Sequence, residues 1–385
     1  MMVNAVSLGI FAILLLSLGH ANAQDRCFTP MGTNGRCINI KNCEPLVSIL
    51  RRPRPLAPEL LDYLRDSQCG FEGTIPKVCC PNQGETPTVE PTTEPNPTQN
   101  LEPPDVSNHQ NLRLLPHQTC GPITEGKIIG GNKTGVFDFP WMALIAYNTG
   151  GTTPEFRCGG SLINERYILT AAHCVVFLPD GLTLAGVRVG DHDISTERDC
   201  DKDEDGLEIA CAEKYQDFDI ESSHYHPEYS KSKLINDIAL LRLNRAINLK
   251  PRNVKPICLP IGPPQPLPQK VVVTGWGATE LGPRSQDLLK VSLTPVNYTE
   301  CKEVYKKNIQ IWHKQLCAGG KKRMDSCLGD SGGPLQAIGT YNGNYRYIQH
   351  GVVSFGLRSC GTEGFPGVYT NVEYYMNWIL NTMRD

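Results

Sequence analysis

Beyond its first 23 residues the chain has no apolar run as long as a membrane-spanning helix, so no transmembrane helix is expected there. A charge excess is also lacking. The 37 Lys and Arg against 40 Asp and Glu leave a net charge of −3, which gives no reason to expect nucleic acid or an anionic membrane surface as a partner. No repeat recurs at solenoid or propeller spacing. Residues 81–119 have almost no apolar side chains before Leu112 and are rich in Pro, Thr, Glu and Asn, the composition of a flexible, disordered linker.

Cysteine, by contrast, is abundant. Sixteen cysteines, an even number, are hard to reconcile with a reducing cytosol. The first residues account for the compartment. An apolar run from Ala5 to Leu18 leads to Ala21-Asn22-Ala23, a small-residue cleavage signal. Residues 1–23 are therefore expected to be a signal peptide and the mature, extracellular chain to begin at Gln24, although Met1 to Asn4 lack the usual Lys or Arg. Residues 27–80 hold Cys27, Cys37, Cys43, Cys69, Cys79 and Cys80. So short a module buries little apolar surface and needs covalent staples, but six cysteines allow fifteen connectivities.

From 128 to 385 the texture changes to short apolar runs divided by Gly and Pro: 142–147, 167–171, 238–243, 270–274, 288–296 and 347–355. Many short strands without alternating helices predict an all-β barrel or sandwich. Tyr375, Trp378, Ile379, Thr382 and Met383 recur at helical spacing, so a short C-terminal helix should lay one face on the barrel.

Three islands carry chemistry: Thr170-Ala-Ala-His173-Cys174, Asn236-Asp237-Ile-Ala-Leu-Leu and Gly329-Asp330-Ser331-Gly-Gly-Pro334. Singly, each has a bland reading: a core or metal-binding histidine, a turn-capping aspartate, a turn serine. Together they are the residue types that nucleophilic catalysis needs. A serine hydroxyl attacks only when a base takes its proton, and a histidine serves only when a third group fixes its tautomer. The order His, Asp, Ser differs from the orders of subtilisin and the α/β-hydrolases.

On these motifs the stretch 128–385 resembles the chymotrypsin family of trypsin-like serine proteases over its whole length. The resemblance implies a fold of two six-stranded β-barrels with a C-terminal helix. It implies His173 as general base and acid, Asp237 as its orienting partner and Ser331 as nucleophile, with the oxyanion hole at the amides of Gly329 and Ser331. No cofactor is implied for catalysis. Asp325, six residues before Ser331, falls at the floor of the family's specificity pocket, and Gly356 and Gly367 at its walls, which implies cleavage after Arg or Lys. Phe355 and Leu328 depart from the common Trp and Gln at their positions. Lys127-Ile128-Ile129-Gly130-Gly131 resembles the activation site: a cut after Lys127 frees the Ile128 amine to pair with Asp330, and a trypsin-like activator is implied.

The same resemblance implies the pairs Cys120–Cys258, Cys158–Cys174, Cys301–Cys317 and Cys327–Cys360, leaving Cys200 and Cys211 to close a loop. Residues 27–80, ending Val78-Cys79-Cys80-Pro81, resemble the clip domain of arthropod serine proteases, whose pairing implies Cys27–Cys79, Cys37–Cys69 and Cys43–Cys80. Such proteases act in extracellular immune cascades. The partners implied are prophenoloxidase or a Toll-ligand precursor as protein substrate and a serpin as inhibitor. Developmental patterning, clotting, digestion and a non-catalytic cofactor on the same fold are the alternatives. Asp191, Asp193, the Thr196 carbonyl and Asp199 are the hard oxygen donors of the family's calcium loop, with a solvated acidic loop as the alternative. Asn132-Lys-Thr and Asn297-Tyr-Thr are glycosylation sequons.

Overall fold

The computed structural model describes residues 26–29, 34–51, 64–65, 67–81, 102–124, 133–262, 266–278, 282, 284–307, 309–320, 329–356 and 362–385. They fall into two compact units, one up to Pro91 and one from Thr92. The first contains β1 (Arg26–Phe28), β2 (Asn34–Asn39), α1 (Glu44–Leu50), β3 (Gln68–Glu72) and β4 (Ile75–Pro81). Its antiparallel sheet has the order β1-β2-β4-β3. The core is small, with Leu46 and Val78 packed among Cys43 and Cys80. Cys27–Cys79, Cys37–Cys69 and Cys43–Cys80 tie the sheet and the helix together. Crosslinks do here what so little buried apolar surface cannot.

The second unit opens with β5 (Met142–Asn148), β6 (Glu155–Leu162), β7 (Tyr167–Thr170) and β8 (Thr183–Val189). A hairpin of β9 (Cys200–Lys202) and β10 (Glu208–Cys211) follows, then β11 (Gln216–Phe218), β12 (Ile220–Tyr225) and β13 (Ala239–Leu243). Apart from the hairpin these form one sheet in the order β11-β8-β5-β6-β7-β13-β12. The two ends of that order, β11 and β12, are separated in sequence by Asp219 alone. One broken strand therefore spans both edges and closes the sheet, which removes exposed strand edges.

A second sheet repeats the device with β14 (Val271–Gly275), β15 (Leu289–Leu293), β16 (Pro295–Val296), β17 (Gln315–Gly319), β18 (Pro334–Tyr341), β19 (Asn344–Phe355) and β20 (Pro366–Asn371). Its order is β15-β14-β18-β19-β20-β17-β16, and Thr294 alone breaks β15 from β16. The fold is all-β, two six-stranded barrels with one strand of each broken at a single residue. Two helices accompany it, α2 (Tyr298–Tyr305) and the C-terminal α3 (Met376–Thr382). Tyr375, Met376, Ile379, Leu380 and Met383 bury one face in the core of the first barrel.

The expected linker 81–119 needs correction over residues 102–119, which are part of the second unit and pack into its core. Val106 and Leu115 are buried in the barrel core, and Leu112 and Leu114 pack against it. A 3-10 turn, Gln110–Leu114, lies between them. Its polar side chains cap the chain end: Asn111 donates to the Leu380 carbonyl (2.8 Å), and His109 and Asn381 share a 3.0 Å bond. Asn164 donates to the Leu114 carbonyl at 3.1 Å. A few apolar anchors and satisfied polar groups hold this strap, so its polar composition gave the wrong expectation.

Candidate active site

A 3-10 turn, Ala172–Cys174, follows β7 and carries His173; the Cys158–Cys174 disulfide ties that turn to β6. Asp237 lies two residues before β13, which pairs with β7, so the hydrogen-bonded strands bring the two residues together. His173 Nδ1 is 2.8 Å from Asp237 Oδ2, and the His173 backbone N–H donates to Oδ1 at 2.9 Å. The Ser354 hydroxyl donates to Oδ2 at 2.6 Å. Thr370 donates to the Asp237 carbonyl at 2.7 Å, and Tyr375 to the Asn236 side chain at 2.8 Å. Asn236 has φ 55°, a left-handed backbone that turns the chain into the strand.

The side chain of Asp237 is 1 % exposed and that of His173 27 %, so the carboxylate is sealed while the imidazole meets solvent. Burial pushes the Asp237 pKa up, but the His173 charge and the hydrogen bonds from His173 and Ser354 outweigh it and leave it lowered. Burial pushes the His173 pKa down, and the Asp237 charge and hydrogen bond overcome that to leave it raised; Lys231 works against the rise.

Ser331 sits in a turn between Gly329 (φ 104°) and Gly332 (φ 80°). A Cβ on Gly332 would overlap the Thr170 hydroxyl, and one on Gly329 would approach Gly277 Cα to 2.9 Å. Only glycine fits either place. The Ser331 carbonyl accepts from Gly159 N at 2.8 Å, and Gly332 N donates to the Val353 carbonyl at 2.9 Å. Thr170 is three residues before His173, so the turns bearing Ser331 and His173 are in contact. Asp330 Oδ1 accepts from Gly277 N at 2.9 Å. Gly356 and Gly367 face each other, a Cβ on Gly356 lying 3.9 Å from Gly367 Cα.

Lys127, Ile128, Asn132, Asp325, Cys327 and Cys360 lie outside the described residues. Disulfides Cys120–Cys258, Cys200–Cys211 and Cys301–Cys317 join those already named. Cys158 and Cys174 lie within ligand reach of His173, but as a disulfide they offer no thiolate to a metal. Asn297 is exposed and caps α2, its Oδ1 accepting from Glu300 N at 2.9 Å.

The residues of the expected calcium loop do not fit a resident ion. Asp199 Oδ2 accepts from the amides of His192 and Asp193, and its Oδ1 from the Thr196 hydroxyl. Asp193 Oδ1 accepts from Ser195. Asp191 leaves Oδ1 buried without a partner, yet Arg188 stands 3.2 Å from its Oδ2 and supplies the cation there. Burial, against the Arg188 hydrogen bond and charge, pushes the Asp191 pKa up to about 6.

Sequence reasoning missed Ser354 and Thr370 as supports of Asp237. Ser354 is 117 residues from Asp237, and only the pairing of β19 with β20 brings its neighbourhood to the site. No local signal announces such a contact.

The Trypsin family matches residues 128–379, and the regulatory CLIP domain of proteinases matches 27–80. Melanization protease 1 of Drosophila melanogaster is 39 % identical over 395 residues, covering 97 % of each chain. Phenoloxidase-activating factor 1 of Holotrichia diomphalia is 38 % identical, with 97 % of this chain and 98 % of that protein covered. The crystal structure of the Drosophila Grass clip serine protease of the Toll pathway matches with a TM-score of 0.63 and 34 % identity, covering 94 % of this chain and 97 % of that one. Trypsin-like proteases need no cofactor for catalysis. Among the described residues no helix is long and apolar enough to cross a membrane. The chain belongs to the trypsin family of serine proteases and carries a regulatory CLIP domain ahead of its protease domain.

Proposed function

We propose that this protein is a secreted zymogen that, once cut at Lys127–Ile128, cleaves proteins after Arg or Lys in an extracellular immune cascade. The observation that carries the chemistry is the sealed Asp237 carboxylate bonded to His173 Nδ1, with the Ser331 turn packed on the same strand end. This carboxylate holds the proton of neutral His173 on Nδ1 and leaves Nε2 as the base. His173 takes the Oγ proton as Ser331 attacks the scissile carbonyl, and the amides of Gly329 and Ser331 receive the oxyanion. The same proton passes to the leaving amine, and water then releases the acyl group by the reverse sequence.

Asp325 and the open wall between Gly356 and Gly367 support a long basic side chain in the pocket. For the switch, the Ile128 amine freed by cleavage pairs with Asp330, whose carboxylate sits against the Gly275–Gly277 backbone. Burying the new ammonium without a carboxylate partner would be costly, so the amine enters only where Asp330 receives it. The names of the relatives favour prophenoloxidase or a Toll-ligand precursor as substrate. The lysine before the activation bond favours a trypsin-like activator upstream, and a serpin is the inhibitor this reading expects. Asn297 is presented for glycosylation on an exposed helix start.

Recombinant zymogen cut at Lys127 is expected to hydrolyse an Arg-ended chromogenic peptide, with Ser331→Ala inactive. Equal hydrolysis by Ser331→Ala would refute the assignment. Incubation with prophenoloxidase and with a Toll-ligand precursor, side by side, identifies the pathway, and cleavage of neither would remove the cascade role while leaving the chemistry.

A further inference from the structure

Two loops meet beside His173 and hold a cation that has no carboxylate partner among the described residues. Phe177, four residues past His173, is 58 % exposed and has φ 54°. Its ring stacks on Tyr229 with centroids 6.2 Å apart. Leu234, on the Tyr229 loop, also adopts a left-handed backbone, φ 53°. Bulky side chains adopt this region only when the surroundings enforce it, and such strain gathers at functional sites. One contact joins the loops: exposed Lys231 donates through Nζ to the Phe177 carbonyl at 3.1 Å.

An ammonium has three donors, and this bond uses one. Asp180 on the Phe177 loop and Glu228 on the Tyr229 loop are exposed, yet neither forms an ion pair with Lys231 among the described residues. The charge is close enough to the catalytic centre to oppose in part the rise that Asp237 imposes on the His173 pKa. We propose that Lys231, fixed on the Phe177 carbonyl, is a specificity determinant that takes an acidic side chain of the substrate segment flanking the scissile bond. The exposed Phe177 ring provides an apolar floor for the methylenes of a glutamate, whose carboxylate meets the two remaining Nζ donors.

This inference rests on the serine-protease reading, and hydrolysis of an Arg peptide with neutral flanks tests that reading separately. The probe is a set of Arg peptides with Glu or Gln placed in turn at three positions on either side of the cut. The activated protease should prefer Glu over Gln at one of these positions by about fivefold in kcat/KM, the scale of an exposed ion pair. Added salt should weaken the preference. Lys231→Met should bring the ratio to one, Lys231→Arg should retain it, and Lys231→Glu should turn it toward a basic side chain. Each ratio is internal to one variant, so a loss of folded protein does not alter it. Absence of a Glu preference at every position, or a preference that Lys231→Met and Lys231→Glu leave intact, would overturn the proposal.

Discussion

Asp237 stands where a carboxylate is costly, buried and with its charge removed from water. Its cost is offset by the His173 ring, the His173 amide and the Ser354 hydroxyl. The two pKa shifts have opposite consequences for stability. The lowered Asp237 value contributes stability that is present above the ordinary carboxylate pKa and lost as pH falls through the folded value. The raised His173 value contributes stability that is full below the ordinary imidazole pKa and fades as pH rises through the folded value. Catalysis needs the neutral imidazole, so activity rises over the same interval in which this ion pair stops stabilising the fold. Ser354→Ala tests the arrangement. With one donor fewer, the carboxylate becomes more basic and His173 harder to deprotonate, so the acid limb of kcat/KM should move to higher pH. The rate at neutral pH should fall about tenfold, the lower end of what a hydrogen bond to a charged group contributes. An unchanged pH–rate profile would mean that Ser354 only fills space. The residue types of the proposed triad and their order are readable in the chain because activating a serine nucleophile demands them. Ser354 is not, because a hydroxyl that follows a strand register leaves no local pattern.

Among the elements, the strap and α3 differ most in what sequence reveals. The helix follows from spacing: Tyr375, Ile379 and Met383 recur one turn apart and are all buried, although Leu380 also turns inward and Thr382 instead bonds the Trp378 carbonyl. The strap has no period, and its apolar residues are too few to be distinguished from linker. Its burial is nevertheless substantial, with Val106 and Leu115 only 3 % and 6 % exposed. Leu115→Ala should therefore lower the unfolding free energy by about 2–4 kcal/mol, the cost of emptying a buried leucine site. Denaturant titration of the full zymogen measures this. A change within experimental error would mean that the strap is only loosely seated. The broken strands that close each barrel are likewise opaque in sequence, since the break at Asp219 or Thr294 disturbs the apolar pattern no more than a turn would. Strand pairing, not local preference, decides that both halves belong to one strand.

For the molecule as a whole, activation divides one chain into two, and the structure provides two separate means of keeping them together. Cys120–Cys258 is one, a bond between residues 138 apart in sequence. The strap is the other. Gly121 donates to the Pro256 carbonyl at 2.7 Å and accepts from Tyr347 N at 2.9 Å, in a fit so close that a Cβ there would overlap the Tyr347 carbonyl. Val106 and Leu115 are buried on the same body, each contributing about 1.5–3 kcal/mol. These terms already act within a docked segment, whereas a free light chain must also recover the translational and rotational freedom it loses on rebinding. The disulfide thus removes the concentration dependence of the contact, and the strap determines where the light chain lies. In a Cys120→Ser, Cys258→Ser variant, chosen so that no lone thiol remains, the cut light chain should still co-elute with the protease domain in gel filtration at micromolar concentration. It should separate on dilution, which the disulfide-bonded protein does only after reduction and denaturation. Immediate dissociation of the double variant at micromolar concentration would mean that the disulfide alone holds the two chains and that the strap's buried residues serve the zymogen only.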